Sequence, residues 1–285
     1  MARTKPDTAR TIAFQGALGA NSHIAISEVY PDYVPVPCTT FDDAFQAVKA
    51  GRASLGMIPI DNSLAGRVAD IHHLLPESGL FIIGEHYLPV HHQLAAPHGA
   101  TMKSIKRVYS HVHALAQCRK IIRELGLKAI VHADTAGAAA EIAERGDVEE
   151  AVFTTMLAVR TYGLKLLRRN VEDGRGNTTR FIIMSRQRQD AVPGPRQSKM
   201  SMVFSVRSIP ASLYKALGGF ATNGVNVVKL ESYLVGNFTV AQFYAEIEGH
   251  PDDPGVVLAL EELKHFSSFF KVLGVYPKAK FTPKA

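Results

Sequence analysis

The sequence predicts an α/β protein in which two doubly wound lobes precede a smaller βαββαβ module. Three observations lead there. Up to about residue 185, short apolar runs alternate with helical patterns, which implies mostly parallel sheets with helices on both faces. Residues 186–198, RQRQDAVPGPRQS, hold a Pro-Gly-Pro run and almost no apolar periodicity, so they read as a linker. Beyond them the apolar period drops to two, at Met200, Met202, Phe204 and Val206. The expected divisions are therefore 1–185, 186–198 and 199–285.

Each element has its own local reason. Residues 11–15 (TIAFQ) form a strand, followed by a glycine-containing loop and a helix opening near Ser22. Thr40 and Asp43 have the spacing of a capping box. The helix they open presents Phe41, Phe45 and Val48 on one face, and Gly51 stops it. A strand over 55–60 and a helix bearing Val68, Ile71 and Leu75 follow, then strands over 80–84 and 90–96. The alternation repeats with a strand at 105–109. Ser110 then opens one helix with the stripe Leu115, Cys118, Ile122 and Leu125, ended by Gly126. Residues 130–132, an Ala-rich helix after Asp134, residues 151–153, a helix around Leu157 and a strand over 180–184 complete the series. Ligands of such sheets sit beyond the carboxyl ends of the strands, where helix N-termini converge.

After the linker, the period-two strand leads to a helix from about Pro210, with Leu213, Leu217, Phe220 and Ala221 on one face. Proline suits a first helical position and Asn223-Gly224 suits the exit. Residues 227–235 and 238–247 form a hairpin across Gly236-Asn237. A helix over 254–264 presents Val256, Leu260 and Leu263, and 269–276 is the last strand. This is the ferredoxin-like order.

Composition narrows the function. With 46% hydrophobic and 20% charged residues the chain is a folded protein. The net charge of +6 is not gathered into a basic block interleaved with aromatics, which favours small anionic ligands over nucleic acid. Cys38 and Cys118 make neither a disulfide framework nor a zinc motif, as in a reducing compartment. The opening MARTKPDTAR lacks the apolar core of a signal peptide, and no segment approaches a membrane span, so a cytoplasmic protein is expected. Gly174-Arg175-Gly176 lacks a third glycine and precedes a strand, and no phosphate-loop motif occurs, so no phosphate cofactor is expected. No metal is expected either. His91 and His92 on a strand point to opposite faces, and His111 and His113 on a helix diverge by about 200°.

Polar clusters fall at the turns: GALGANS (16–22), PIDNS (59–63), SHVHALAQ (110–117), Asp134-Thr135 and NTTRF (177–181). Helix capping accounts for any one of them. It accounts less well for the set, because Thr179 and Arg180 begin a strand and cap nothing. Helix N-termini and free hydroxyls at such positions bind carboxylates or phosphates.

The combination of PIDNSLAGRV, SHVHALAQC, DTAGAA and GNTTRF with a following βαββαβ module resembles the prephenate dehydratase family, from about Ile12 to Tyr276. The resemblance implies a catalytic part of two lobes around a cleft, periplasmic-binding-protein-like, and a C-terminal ACT regulatory domain. It also implies conversion of prephenate to phenylpyruvate, carbon dioxide and water, and assembly as a homodimer or homotetramer. Thr179, in Thr179-Arg180-Phe181, matches the threonine that the family's T-R-F motif needs for activity. Asn62 matches the asparagine of P-I-E-N-S, with Asp61 in place of its glutamate. Ser110 and His111 match the start of S-H-P-Q, with Val112 and His113 replacing its proline and glutamine. Gln117 matches a glutamine just before the motif's cysteine. Ser22 matches the serine of the first loop, where Ala20 and Asn21 replace the usual threonine and phenylalanine. Thr135 and Phe181 complete the implied substrate site.

These residue types suit the reaction. Aromatisation of the ring drives loss of carbon dioxide, and the departing hydroxyl takes the electrons, so no electron-sink cofactor is needed. Thr179 is expected to donate to the leaving hydroxyl, with His111 as an alternative proton source. Asn62, Ser110 and Gln117 would orient substrate, and Arg180 reads either as a carboxylate clamp or as half of a structural ion pair. In the family, phenylalanine binds between ACT domains near a G-A-L motif and an E-S-R-P motif. Here these read Pro210-Ala211-Ser212-Leu213 and Glu231-Ser232-Tyr233-Leu234, with Asn223 and Asn226 as candidates to hold the ammonium. Arogenate dehydratase, a non-catalytic binder of anionic metabolites, and a domain kept only for assembly stand as alternatives.

Overall fold

A computed structural model describes residues 10–174, 176–194, 197–235 and 240–279. Before the linker, the strand–helix alternation builds two sheets. The first has strands β1 (Thr11–Gln15), β2 (Val34–Cys38), β3 (Leu55–Asn62), β5 (Phe81–Pro89) and β11 (Thr178–Ser185). They run in the order β2-β1-β3-β11-β5, and the short β4 (Gly66–Arg67) hooks onto β3. β1 is parallel to both β2 and β3. The second sheet has β6 (Gln93–Ala96), β7 (Arg107–Ser110), β8 (Lys128–Val131), β9 (Glu150–Thr154) and β10 (Lys165–Arg168), in the order β10-β6-β9-β7-β8. β7 is parallel to β8 and β9, whereas β6 runs antiparallel to its neighbours.

Helices α1 (Asn21–Val29), α2 (Phe41–Lys49) and α3 (Ala69–Glu77) intersperse the first sheet. Helices α4 (Val112–Gln117), α5 (Arg119–Glu124), α6 (Thr135–Arg145) and α7 (Met156–Thr161) intersperse the second. The capping box at α2 forms: Thr40 Oγ1 accepts from the Asp43 N–H, and the Asp43 carboxylate accepts from the Thr40 N–H. The chain crosses to the second sheet between β5 and β6 and returns between β10 and β11. These crossovers bond to each other, Val90 N–H to Asn177 O at 2.8 Å and Val171 N–H to His92 O at 2.9 Å.

The chain after the linker forms β12 (Ser198–Val206), α8 (Ser212–Thr222), β13 (Asn226–Val235), β14 (Val240–Glu248), α9 (Pro254–Phe266) and β15 (Ser267–Pro277). The antiparallel order β13-β14-β12-β15 is the ferredoxin-like one. Met200, Met202 and Phe204 pack with Phe220 of α8 and with Leu260 and Leu263 of α9. The expected hairpin turn at Gly236-Asn237 lies outside the described residues.

The chain packs as two compact units, one of 10–68 with His86–Phe181, the other of Ala69–Glu85 with 182–279. The second unit thus gathers α3 and the start of β5 with the C-terminal module, rather than following the chain division expected at 186–198. β12 is accordingly buried on both faces, not only on the helix side. Within this unit, Lys199 pairs with the buried Glu85 at 3.0 Å, and the His72 ring lies tilted at 55° to that of Tyr244, 4.9 Å away. Gly274 marks the closest approach, since a Cβ there would lie 2.0 Å from the Ile82 carbonyl oxygen.

Five local readings change. β2 was not expected, because VPVPC carries two prolines. It is an edge strand, where Pro35 and Pro37 remove N–H groups from the same, unpaired side. β10, also unexpected, is the other sheet's edge. Ser110 ends β7 and does not open a helix; His111 caps α4 by accepting from the His113 N–H. The single helix expected to Leu125 breaks at Cys118, because neighbouring groups outcompete its own ladder. Gln117 O accepts from Asp173 N–H, and the Asp173 carboxylate accepts from Arg119 and Lys120 N–H at 3.0 and 2.9 Å. Finally, α8 starts at Ser212, two residues past Pro210, since Ala211 adopts φ 62° and cannot continue a helix.

Candidate active site

Three of the polar clusters of the sequence, PIDNS, SHVHALAQ and NTTRF, meet where β3 ends, β11 begins and the crossovers run. Asn62 closes β3, and its Oδ1 accepts from the backbone N–H groups of Leu64 and Ala65 at 3.0 and 2.8 Å. Its Nδ2 is thereby turned toward β11, donating to Thr179 Oγ1 at 3.0 Å and to Asn177 Oδ1 at 2.8 Å. Ser63 fastens the same corner. It donates from N–H to Thr178 O and from Oγ to Gly176 O, and accepts at Oγ from Thr178 N–H.

The line continues toward the second sheet. Asn177 Nδ2 donates to Gln117 Oε1 at 2.8 Å, and His92 Nε2 lies 2.8 Å from the same oxygen. Glu172 holds the crossover that carries His92, accepting from the His92 backbone N–H at 3.0 Å and pairing with His91 Nδ1 at 2.8 Å. Burial pushes the His92 pKa below the usual histidine value, so the ring is neutral near pH 7. Burial alone would raise the Glu172 pKa, but hydrogen bonds from His91 and from backbone N–H groups outweigh it and hold the carboxyl below its ordinary value.

Thr179, Asn62 and Gln117 therefore come together, joined through Asn177. Thr179 accepts one N–H, which leaves its own hydroxyl proton free to donate elsewhere. Arg180 is buried, 3.5 Å from the Asp61 carboxylate and over the Tyr87 ring at 5.9 Å. Ser110 is fully buried and donates to Phe153 O at 2.7 Å, and Phe181 lies in the core. Thr135 begins α6, which Asp134 caps by accepting from Gly137 N–H. The His111 pKa is lowered, first by burial and then by nearby His113, against an opposing effect of Asp134.

Ser22 is buried in the first turn of α1, beside a loop that α7 grips. Thr155 Oγ1 donates to Gly19 O, Tyr162 OH to Leu18 O, and Gly19 N–H to His23 Nδ1. A Cβ at Gly19 would fall 2.6 Å from Ala158 Cα, so α7 can sit there only against glycine. Sequence reading missed His92, Glu172 and Asp173. It had Asn177 inside a quoted cluster but gave it no role. Among the described residues, no group of three or more His, Cys, Asp or Glu side chains is placed to hold a metal ion. No described helix is long and apolar enough to cross a membrane.

A cavity of about 940 Å³ opens beside α8. Ala211, Ser212 and Leu213 line it together with Ile209, Leu234 and Val240. Ser212 Oγ is buried without a hydrogen-bond partner among the described residues. Asn223, Asn226, Glu231 and Ser232, expected at the same site, do not line this cavity. Asn223 donates to Gly219 O, Asn226 to the Glu248 carboxylate, Glu231 lies 3.9 Å from Lys229, and Ser232 is on β13.

The family model described as prephenate dehydratase matches residues 12–189. A bifunctional N-acyl-homoserine lactone acylase/prephenate dehydratase from Komagataeibacter europaeus is 48% identical over 277 residues, 96% of this chain and 98% of its own. Arogenate dehydratase/prephenate dehydratase 2, chloroplastic, from Arabidopsis thaliana is 36% identical, over 93% of this chain and 72% of its own. Among solved structures, a prephenate dehydratase from Arthrobacter aurescens in complex with L-Phe superposes with TM-score 0.87 at 30% identity. That match covers 96% of this chain and 92% of the other.

Proposed function

Because this chain belongs to the prephenate dehydratase family, we propose that it converts prephenate to phenylpyruvate, carbon dioxide and water in the cytoplasm, using Thr179 as the hydrogen-bond donor to the leaving hydroxyl. The observation that carries this reading is the bond from Asn62 Nδ2 to Thr179 Oγ1, which orients the threonine as a donor. The ring carboxylate leaves as carbon dioxide, its bonding pair aromatises the ring, and the C–O pair departs with the hydroxyl oxygen. That oxygen gains negative charge as the bond breaks, so a donor already in place favours the transition state over the ground state. Comparable preorganised donors contribute about 2.7–4 kcal/mol each. His111 is the weaker candidate, since burial and His113 lower its pKa and so deplete the imidazolium form that would serve as the proton source.

Asn62 and Gln117, with Ser22 and Thr135 at helix N-termini, orient the substrate. Ser110 and Phe181 support the site from the core, and the ion pair with Asp61 favours the structural reading of Arg180. The test is purified protein with prephenate and no added cofactor, following phenylpyruvate. Arogenate runs in parallel, because relatives carry both names. Turnover of prephenate supports the reading; turnover of neither substrate overturns it. Acylase activity on N-acyl-homoserine lactones is a second reading, favoured by 48% identity to a bifunctional relative over nearly its whole length.

The C-terminal module is proposed to act as an ACT regulatory domain that binds phenylalanine, in a homodimer or homotetramer. The cavity at Ser212 and the L-Phe complex of the Arthrobacter structure support this. So does the path of the chain. Ala69–Glu85 runs from the loop after Asn62 to the crossover bearing His92, and it packs in the compact unit that holds the module.

A further inference from the structure

We infer that His92 is a positioning residue that, with Asn177, locks the Gln117 amide so that only its N–H donors face a substrate carboxylate. The inference rests on the dehydratase reading and deepens it. Its argument is one of hydrogen-bond polarity, propagated from a fixed end. The Leu64 and Ala65 backbone groups are N–H donors without an alternative, so the atom they reach on Asn62 is its oxygen. The other Asn62 atom is then the NH2, which makes its partner on Asn177 the oxygen. Asn177 must next offer its NH2 to Gln117, whose near atom is therefore the carbonyl. A flipped Gln117 would set two NH2 groups against each other in a half-buried site, which leaves donors unsatisfied.

His92 completes the lock from the other side. Facing a carbonyl at 2.8 Å, its Nε2 carries the proton, and the ring donates as the neutral Nε2–H tautomer. Both acceptor directions of Gln117 Oε1 are thus filled, by Asn177 and by His92. The Gln117 NH2 takes no part in this line and points away from it. The ring's place is set by the crossover backbone, through His92 N–H to the Glu172 carboxylate and Val171 N–H to His92 O. Losing the His92 donor would leave the amide held by Asn177 alone, so that it more readily flips to present its oxygen, which repels a carboxylate. That is a loss of substrate binding more than of chemistry.

Three measurements on the full-length protein decide it. Nitrogen-15 spectra of histidine-labelled wild type should show His92 as the Nε2–H tautomer between pH 6 and 8; an Nδ1–H tautomer would overturn the lock. Kinetics with prephenate should show His92→Leu raising KM about tenfold with kcat changed less than about threefold. His92→Gln, which keeps a donor at similar reach, should restore KM to within about threefold of wild type. A His92→Leu variant with wild-type KM, or one with unchanged KM and low kcat, would overturn the proposal, as would a His92→Gln variant no better than His92→Leu. If wild type turns over neither prephenate nor arogenate, the dehydratase reading fails, while the tautomer still decides the lock.

Discussion

In the proposed mechanism the chemistry turns on Thr179, and its substitution is the sharpest test at this scale. Thr179→Ala removes one hydroxyl at the start of β11 and leaves Asn62 held by Leu64, Ala65 and Asn177. The fold should survive, with an unchanged circular dichroism spectrum and melting temperature. Turnover of prephenate should fall by at least about a hundredfold, as expected for one oriented donor. Thr179→Ser should retain more activity than Thr179→Ala, because it keeps the hydroxyl; near wild-type turnover in Thr179→Ala would remove Thr179 from the mechanism. Thr179, Asn62 and Gln117 were legible in the sequence because short motifs carry them. His92 and Asn177 were not, since their meaning lies in contacts to Gln117 across 25 and 60 residues. A histidine in an extended run has no local signal that distinguishes it from a packed one. Ser110 and Phe181 show the converse: they sit in recognisable motifs, yet the structure places both side chains in the core.

At the scale of elements, what the sequence pattern missed lies at edges and breaks. Period and capping read the central strands and long helices well, because burial on one face imposes the pattern. β2 and β10 lie at sheet edges, where pairing on one side leaves the pattern weak. The α4–α5 break is set by Asp173, a residue far along the chain that caps α5 from outside. Asp173→Ala should cost about 1–2 kcal/mol, measured by urea denaturation, because it orphans the Arg119 and Lys120 N–H groups. Since Gln117 directly precedes the break, its KM for prephenate should rise as well. Glu172, next to Asp173, gives a pH test. Its pKa is lower folded than unfolded, so its contribution is complete above the ordinary carboxylate range and is lost as pH falls through the folded value. The stability gap between wild type and Glu172→Gln should therefore be full at pH 7 and close on acidification. A gap independent of pH would mean that the crossover is not held by the Glu172 charge.

For the whole molecule the question is whether an end product felt at α8 reaches Thr179. The cavity beside α8 has an apolar lining of Leu213, Leu234 and Val240 that suits an aromatic side chain. A buried hydroxyl without a partner, as at Ser212, is a group that a polar ligand would satisfy. The four expected residues that do not line this cavity are not needed for such a site. Binding there changes activity only if phenylalanine prefers one of two arrangements of the protein. The segment Ala69–Glu85 offers the physical link, because it packs with the module while its two ends lead to Asn62 and His92. Coupling of about 1–3 kcal/mol would then weaken substrate binding by roughly 5- to 150-fold at saturating phenylalanine. Calorimetry should show phenylalanine binding to wild type, and kinetics should show inhibition over the same concentration range. Ser212→Trp, which intrudes on the cavity, should lose both while keeping its basal turnover, since Ser212 is not part of the Thr179 site. Absence of binding to wild type, or equal binding to both proteins, would sink the effector site. Binding to wild type without any effect on turnover would leave the module a binding domain uncoupled from Thr179, and the path through Ala69–Glu85 would be wrong.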